Sequence, residues 1–318
     1  MWLNHSDAFL IPTVDLSTGA AAQAIDDACR RHGFLYLTGH GVSSTVTEKA
    51  FAAAAHFFAA PHETKNAYHI RHSHPHQRGY VPLFEESLDG GTLPDFKESF
   101  DMGVDRAPDH PDVLAGKLFA APNIWPPVPG FREAIEAYHL EMMRLGLDLV
   151  RLTARALGLP SGYFDAAMGD PVGNLRLLHY PAGGTEHHPH GEDSQGCGAH
   201  TDYGFLTVLA QDDVGGLEIE GPGGRWLPLA PRAGAFVVNL GDLLTHWTGG
   251  LYQARRHRVV NAGMRERYSI PFFLDPNVDA DIDVVPTCRY LPDANTYQPV
   301  NAGAFLQSRF DATFTYRK

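Results

Sequence analysis

The chain has 318 residues, 37 acidic against 25 basic, a formal charge of −12 and 44% hydrophobic content. That balance argues against nucleic acid or an anionic membrane as partner, while the apolar fraction suffices for a sizeable core. No apolar run approaches the ~18 residues needed to span a bilayer, and the first residues lack the basic and apolar segments of a secretion signal. Cys29, Cys197 and Cys288 form no C-x-x-C pair, so neither a zinc knuckle nor a disulfide framework is suggested, and a reducing cytoplasm is expected.

In chain order, the pattern predicts a strand over 9–14 and a helix over 20–31, with Thr18 as N-cap and Gly33 beyond its end. A second strand over 34–37 closes at Gly39-His40-Gly41, a helix covers 45–59, and Pro61 opens a further turn. Residues 71–95 are rich in His, Pro and Gly and read as a long irregular segment. A long helix is predicted over 131–156, ended by Gly158 and Pro160. From Asn174 onward the texture becomes short alternating strands, at 175–180, 206–210, 217–219, 235–239 and 268–273, followed by a helix over 305–310. Many short strands with regular turns suggest a sandwich or jelly roll. Residues 1–125 are expected to form a mixed α/β region packed on a core of 126–318, the two together making one compact unit.

The chemistry concentrates in His200-Thr201-Asp202, answered downstream by His257 and then by Arg267-Tyr268-Ser269. On an extended segment positions i and i+2 face one side, so His200 and Asp202 can reach one ion. Two imidazoles and one carboxylate leave about three octahedral positions open, the arrangement of non-haem Fe(II) oxygen enzymes. His190-Gly191-Glu192, in the His187-His188-Pro189-His190 segment, is a rival H-x-E and reads as a solvated loop. Arg267 and Ser269 also share one face of an apolar strand. Fe(II) with one aspartate carries +1, a bound dicarboxylate takes the site to −1, and one arginine restores neutrality. A structural salt bridge is the other reading of Arg267; without any partner a buried arginine is costly.

The chain resembles the isopenicillin N synthase-like family of Fe(II)/2-oxoglutarate-dependent dioxygenases over nearly its whole length. Ile11-Pro12-Thr13-Val14-Asp15-Leu16, Gly33 to Gly41, Arg78-Gly79-Tyr80-Val81-Pro82 and Lys97-Glu98-Ser99-Phe100-Asp101 are similar to its N-terminal half. Gly198-Ala199-His200-Thr201-Asp202-Tyr203-Gly204, Gln211 to Leu217, His257-Arg258-Val259-Val260-Asn261 and the R-x-S motif resemble its catalytic half. The resemblance implies a double-stranded β-helix, the cupin-like jelly roll. It implies Fe(II) held by His200, Asp202 and His257, and 2-oxoglutarate chelating the iron. The distal carboxylate of 2-oxoglutarate would lie on Arg267 and Ser269, with Tyr180 hydrogen-bonding the same region. O2 then drives oxidative decarboxylation to succinate and CO2, and a small-molecule C–H bond is oxidised, by hydroxylation as the default and by desaturation or ring closure otherwise.

One departure is Leu178, where plant members carry an asparagine that helps seat the co-substrate. Isopenicillin N synthase itself keeps R-x-S yet uses no 2-oxoglutarate, so an iron oxidase without that co-substrate is an alternative, as is a non-catalytic metal-binding jelly-roll module. If Tyr180 faces the cavity, period two brings Leu178 and Arg176 to the same side. Arg176 is then a candidate for a substrate carboxylate or phosphate, or for a local acid. Phe100, Phe205, Tyr80 and Phe84 are candidates for the substrate wall. Residues 71–100 are expected to lie over the cavity mouth as a lid, with Arg78 and the histidines there as contacts. His179 and His246 read as structural histidines.

Overall fold

The chain opens with a β-α-β unit. In a computed structural model that describes residues 10–88, 94–183, 195–260 and 265–313, β1 (Thr13–Asp15) and β2 (Phe34–Thr38) pair in parallel around α1 (Ala21–Arg31). Helix α1 buries Ala21, Ile25, Ala28 and Cys29, the i, i+4 spacing of one helical face. It ends where Gly33 takes φ +66°, a conformation that favours glycine. Ala20, not Thr18, occupies its N-cap position, because the Thr18 hydroxyl donates backwards to the Asp15 carbonyl at 2.9 Å.

Next come α2 (Ser44–Phe58), α3 (His62–Asn66), β3 (Gly79–Val81), β4 (Glu98–Met102), α4 (Pro111–Leu114) and α5 (Phe131–Ala156). Residues 71–95, irregular by composition, thus contain β3, and the 71–100 stretch expected as a lid ends inside β4. Strands β3 and β4 pair antiparallel, and β4 pairs with β5 (Val172–Tyr180). The reason is burial on both faces: Tyr80 and Phe100 meet the Phe57 ring at 6.0 and 4.8 Å, while Asp101 turns to the opposite side and meets Arg176.

The remaining strands are β6 (Cys197–His200), β7 (Leu206–Gln211), β8 (Leu217–Glu220), β9 (Trp226–Pro228) and β10 (Phe236–Leu240). After α6 (Asp242–Trp247) follow β11 (His257–Val259), β12 (Arg267–Asp275), β13 (Asp281–Ile282), β14 (Val300–Asn301) and α7 (Ala302–Thr313), a longer terminal helix than the pattern predicts. Eight strands form one sheet in the order β1-β2-β10-β7-β12-β5-β4-β3, and four form a second, β6-β11-β8-β9. Four strands of the large sheet come from the first 125 residues, so that region is continuous with the catalytic strands.

One apolar cluster joins the two sheets through Phe34, Tyr36, Leu178, Val237, Leu217 and Val259. The other face of the large sheet packs on the helices. Helix α5 buries Ile135, Tyr138, Met142, Leu145 and Leu149 at helical spacing. It approaches so closely that a Cβ on Gly146 would lie 2.9 Å from Leu274 Cδ2. Each buried leucine there contributes on the order of 2 kcal/mol, so truncating one to alanine costs ~2–5 kcal/mol. The result is a jelly roll whose inner, two-sheet space holds the polar groups. No helix among the described residues is long and apolar enough to cross a membrane.

Candidate active site

Strands β6 and β11 pair antiparallel with His257 directly opposite His200, and Asp202 follows two residues on, bridged to Gly241. Pairing thus turns three sequence-distant groups into one cluster. Both imidazole Nε2 atoms lie 3.6 Å from Asp202 Oδ1, and one donor atom from each residue falls within 4.8 Å of the others. His200 Nδ1 sits 2.7 Å from the Gly198 carbonyl and His257 Nδ1 3.2 Å from that of Arg255. Those carbonyls call for N–H at Nδ1, which leaves Nε2 as a lone pair towards the cluster.

The Asp202 carboxylate is divided in the same way. Its Oδ2 accepts from Thr207 Oγ1 and from Asn239 Nδ2, the latter at 2.6 Å, while Oδ1 faces the imidazoles. Burial opposes ionisation of Asp202, but His257 and His200 hold it below the usual carboxylate range. Burial, then the neighbouring His200, pushes His257 down to about 4 against the pull of Asp202. A neutral-imidazole, ionised-carboxylate trio is the donor set of a divalent first-row ion, so these residues fit iron. Thr207 and Asn239 escape sequence reasoning; a buried asparagine inside the apolar strand β10 was the available signal.

The trio opens onto a cavity with an empty volume of about 580 Å³, whose wall includes Tyr180, Leu178, Arg267 and Ser269. Register explains the grouping: β5 and β12 pair with Arg267 opposite Tyr180 and Ser269 opposite Leu178. Arg267 is 2% exposed. Its Nη1 donates to Ser269 Oγ at 3.1 Å, its Nη2 to Gln211 Oε1 at 3.4 Å, and Nε has no hydrogen-bond partner among the described residues. The guanidinium also lies 4.7 Å from the Tyr180 ring centroid, and burial pushes that phenol up to about 12. Among the described residues no carboxylate pairs with Arg267. A buried cation with neutral partners only is a receptor for an anion.

Of the two readings of Arg176 the local acid is the one observed, and three candidates for the substrate wall are corrected. Arg176 faces the cavity, as alternation requires, yet its guanidinium is taken up by acids: Nε and Nη2 reach Asp101 at 2.6 and 2.9 Å, and Nη1 reaches Glu86 at 2.9 Å. Lys97 joins the same cluster through Glu86 at 2.9 Å and Asp95. Burial alone would raise Glu86, but Arg176 and Lys97 hold it at about 2. Phe100, Phe205 and Tyr80 do not line the cavity. Phe100 packs against Phe57 and Phe131, Phe205 against Phe164 and Trp247, and the Tyr80 hydroxyl donates to Glu98, because each points to the helix side of its strand or loop. Phe84 stacks on Phe96 at 5.5 Å.

Arg78 is 2% exposed and donates to the carbonyls of His76 and Phe119. His179 contacts Glu98 at 2.7 Å and stacks on Tyr268, and His246 meets the Gln298 carbonyl. The rival His187, His188, His190 and Glu192, and Asn261 of the distal histidine motif, lie outside the described residues.

Comparison with known proteins agrees with this geometry. Residues 11–128 match the family described as non-haem dioxygenase in morphine synthesis N-terminal, and residues 172–276 match the 2OG-Fe(II) oxygenase superfamily. The chain is 36% identical to the 2-oxoglutarate-Fe(II) type oxidoreductase hxnY of Emericella nidulans, covering 90% of this chain and 84% of that protein. It is 39% identical to the 2-oxoglutarate-dependent dioxygenase citB of Monascus ruber, covering 88% of each. In structure it is similar to a full-length Neurospora crassa protein solved in complex with alpha-KG and thymine, with a TM-score of 0.83 at 29% identity over 96% of this chain and 98% of that one.

Proposed function

The chain belongs to the 2OG-Fe(II) oxygenase superfamily and is an Fe(II)/2-oxoglutarate-dependent dioxygenase, and on that premise we propose which residues do its work. His200, Asp202 and His257 hold the iron, and Arg267, Ser269 and Tyr180 receive the distal carboxylate of 2-oxoglutarate. The observation that carries this reading is Arg267: a buried guanidinium without a carboxylate partner among the described residues, on the wall of the cavity that also carries the trio. When bound, iron and 2-oxoglutarate supply an oxidant from O2 with release of succinate and CO2, and hydroxylation of a small molecule is the outcome we favour.

The chain's own part is positioning. The Gly198 and Arg255 carbonyls fix both imidazoles, and Thr207 with Asn239 orients Asp202. Leu178 and Val259 give the cavity apolar wall that excludes water around the charge pair. Leu178 stands where plant members of the family carry an asparagine that helps seat the co-substrate, and its apolar side chain offers the co-substrate no hydrogen bond here. The iron oxidase without 2-oxoglutarate is not favoured, since the relatives compared carry 2-oxoglutarate in their names. Three buried free thiols support a reducing, cytoplasmic setting.

The test is anaerobic reconstitution with Fe(II), then admission of air with 2-oxoglutarate. Succinate should form, and Asp202→Ala and His257→Ala should abolish both iron retention and succinate. Iron held equally well by both variants would remove the assignment of ligands.

A further inference from the structure

The cavity-facing stripe of β5 and β12 does not end at Arg176. The strands are antiparallel, with Tyr180 opposite Arg267, Asn174 opposite Phe273 and Val172 opposite Asp275. With a side-chain period of two, Tyr180, Leu178, Arg176, Asn174 and Val172 form one row, and Arg267 to Asp275 supplies the row beside it. At the Arg267 end this face lines the co-substrate cavity. At the Asp275 end it lines a second cavity, of empty volume about 670 Å³, which also touches His200 and Asp202 and is closed by Leu306 and Phe310 of α7. A molecule there lies beside the trio without occupying the Arg267 pocket.

The polar groups of this second cavity set what it accepts. Arg176, the one Lys or Arg on its wall among the described residues, is already neutralised by Asp101 and Glu86. Two carboxylates thus face one cation, and Asp275 adds a further carboxyl group to the wall. An anionic substrate would lose its hydration and meet an excess of acid. Asn174 is different. It is 8% exposed, lines the cavity, and its Oδ1 is buried without a hydrogen-bond partner. Its amide makes no hydrogen bond to any described residue, so one acceptor and one donor are left for a ligand. Phe273, Leu306 and Phe310 supply apolar surface for a ring.

The geometry points to a prime substrate that is an uncharged amide or imide, its N–H and C=O paired with the Asn174 amide and its ring against Phe273 and Phe310. The inference deepens the proposed function and rests on the first cavity being the 2-oxoglutarate site. Asn174 sits at the specificity end of the same stripe whose other end binds the co-substrate.

The test is calorimetric titration of the anaerobic protein loaded with Fe(II) and 2-oxoglutarate, using four compounds built on one ring: benzamide, benzoate, benzylammonium and methyl benzoate. Benzamide should bind at least about tenfold more tightly than the other three, since a buried amide rejects ligands that leave it unpaired. Asn174→Leu should erase the preference, and Asn174→Asp should move it to benzylammonium. Benzoate, methyl benzoate or benzylammonium equal to benzamide in the unaltered protein overturns the inference. So does an order unchanged in both variants, or binding by none of the four. 2-Oxoglutarate is titrated on the Fe(II) protein first: binding that ignores Arg267 removes the earlier reading, whereas Arg267-dependent binding followed by the wrong compound order removes this inference alone.

Discussion

Replacing Arg267 by methionine separates a binding role from a structural one, because the two predict opposite signs in two measurements. The guanidinium is 2% exposed and its partners are the neutral Ser269 and Gln211. Burying that charge opposes folding, and neutral hydrogen bonds offset only part of the cost. The metal-free variant should therefore melt at the same temperature as the parent or higher. A bound dicarboxylate reverses the balance. Hydrogen bonds to charged groups contribute ~1.5–3 kcal/mol each, and a charge pair near 4 Å at an effective dielectric constant of about 20 is worth roughly 4 kcal/mol. A loss of ~3–4 kcal/mol corresponds to a 2-oxoglutarate Kd weaker by about 10²–10³-fold. The assay is anaerobic calorimetry on the Fe(II) protein, with 2-oxopentanoate as the analogue lacking the distal carboxylate. The parent should strongly prefer 2-oxoglutarate, and Arg267→Met should hardly discriminate. A 2-oxoglutarate Kd within about threefold of the parent, together with a lowered melting temperature, would refute the reasoning.

Three further outcomes follow from the surroundings of the site. Asn239→Leu removes one of two donors to Asp202 Oδ2, so iron affinity measured by chelator competition should fall ~10–100-fold; unchanged affinity would show that the bond does not orient the ligand. Arg176→Met leaves Glu86 and Asp101 buried together without their shared cation, and denaturant unfolding should show a loss of ~3–5 kcal/mol; a stability within experimental error of the parent would contradict that. Asp275 is raised to about 7, mainly by burial and further by Asp202, against the Phe205 N–H that it accepts. A folded pKa above the ordinary 3.8 means the stability it contributes is full below that value and is lost as pH rises to about 7. Metal-free protein should therefore lose melting temperature over that window, and Asp275→Asn should flatten the profile; parallel curves would refute it.

What the sequence discloses follows from which physical signals are local. Helix α5 has its apolar face at helical spacing and Gly158 at its end, so its bounds coincide with the pattern. His200, Asp202 and His257 are legible because ligand chemistry demands those residue types and a strand period of two. Strands β3 and β4 are not legible, because every residue in them is buried and no alternation remains to be seen. The inward direction of Arg176 follows from Tyr180 by counting along β5. Its partners do not, since Glu86 and Asp101 arrive from elsewhere in the chain and Asp101 meets it only through the β4–β5 register. The same register sets Phe100 opposite Leu177, on the side away from the cavity. Aromatic character alone cannot report that choice, and the same holds for Phe205.

The interleaved large sheet bears on how such a protein can be recombined. Its middle strands β10, β7, β12 and β5 are bordered by β1–β2 on one side and β4–β3 on the other. A chimaera spliced between α5 and β5 would inherit its sheet borders from one parent and its iron-side strands from the other. Ladder partners such as Asp101 and Arg176 would then come from different parents. Shuffled libraries cut at that junction should yield folded progeny mainly where the parents agree along Glu98–Met102 and at the residues of β5 facing it, which makes the border strands inseparable cargo in any exchange of catalytic halves.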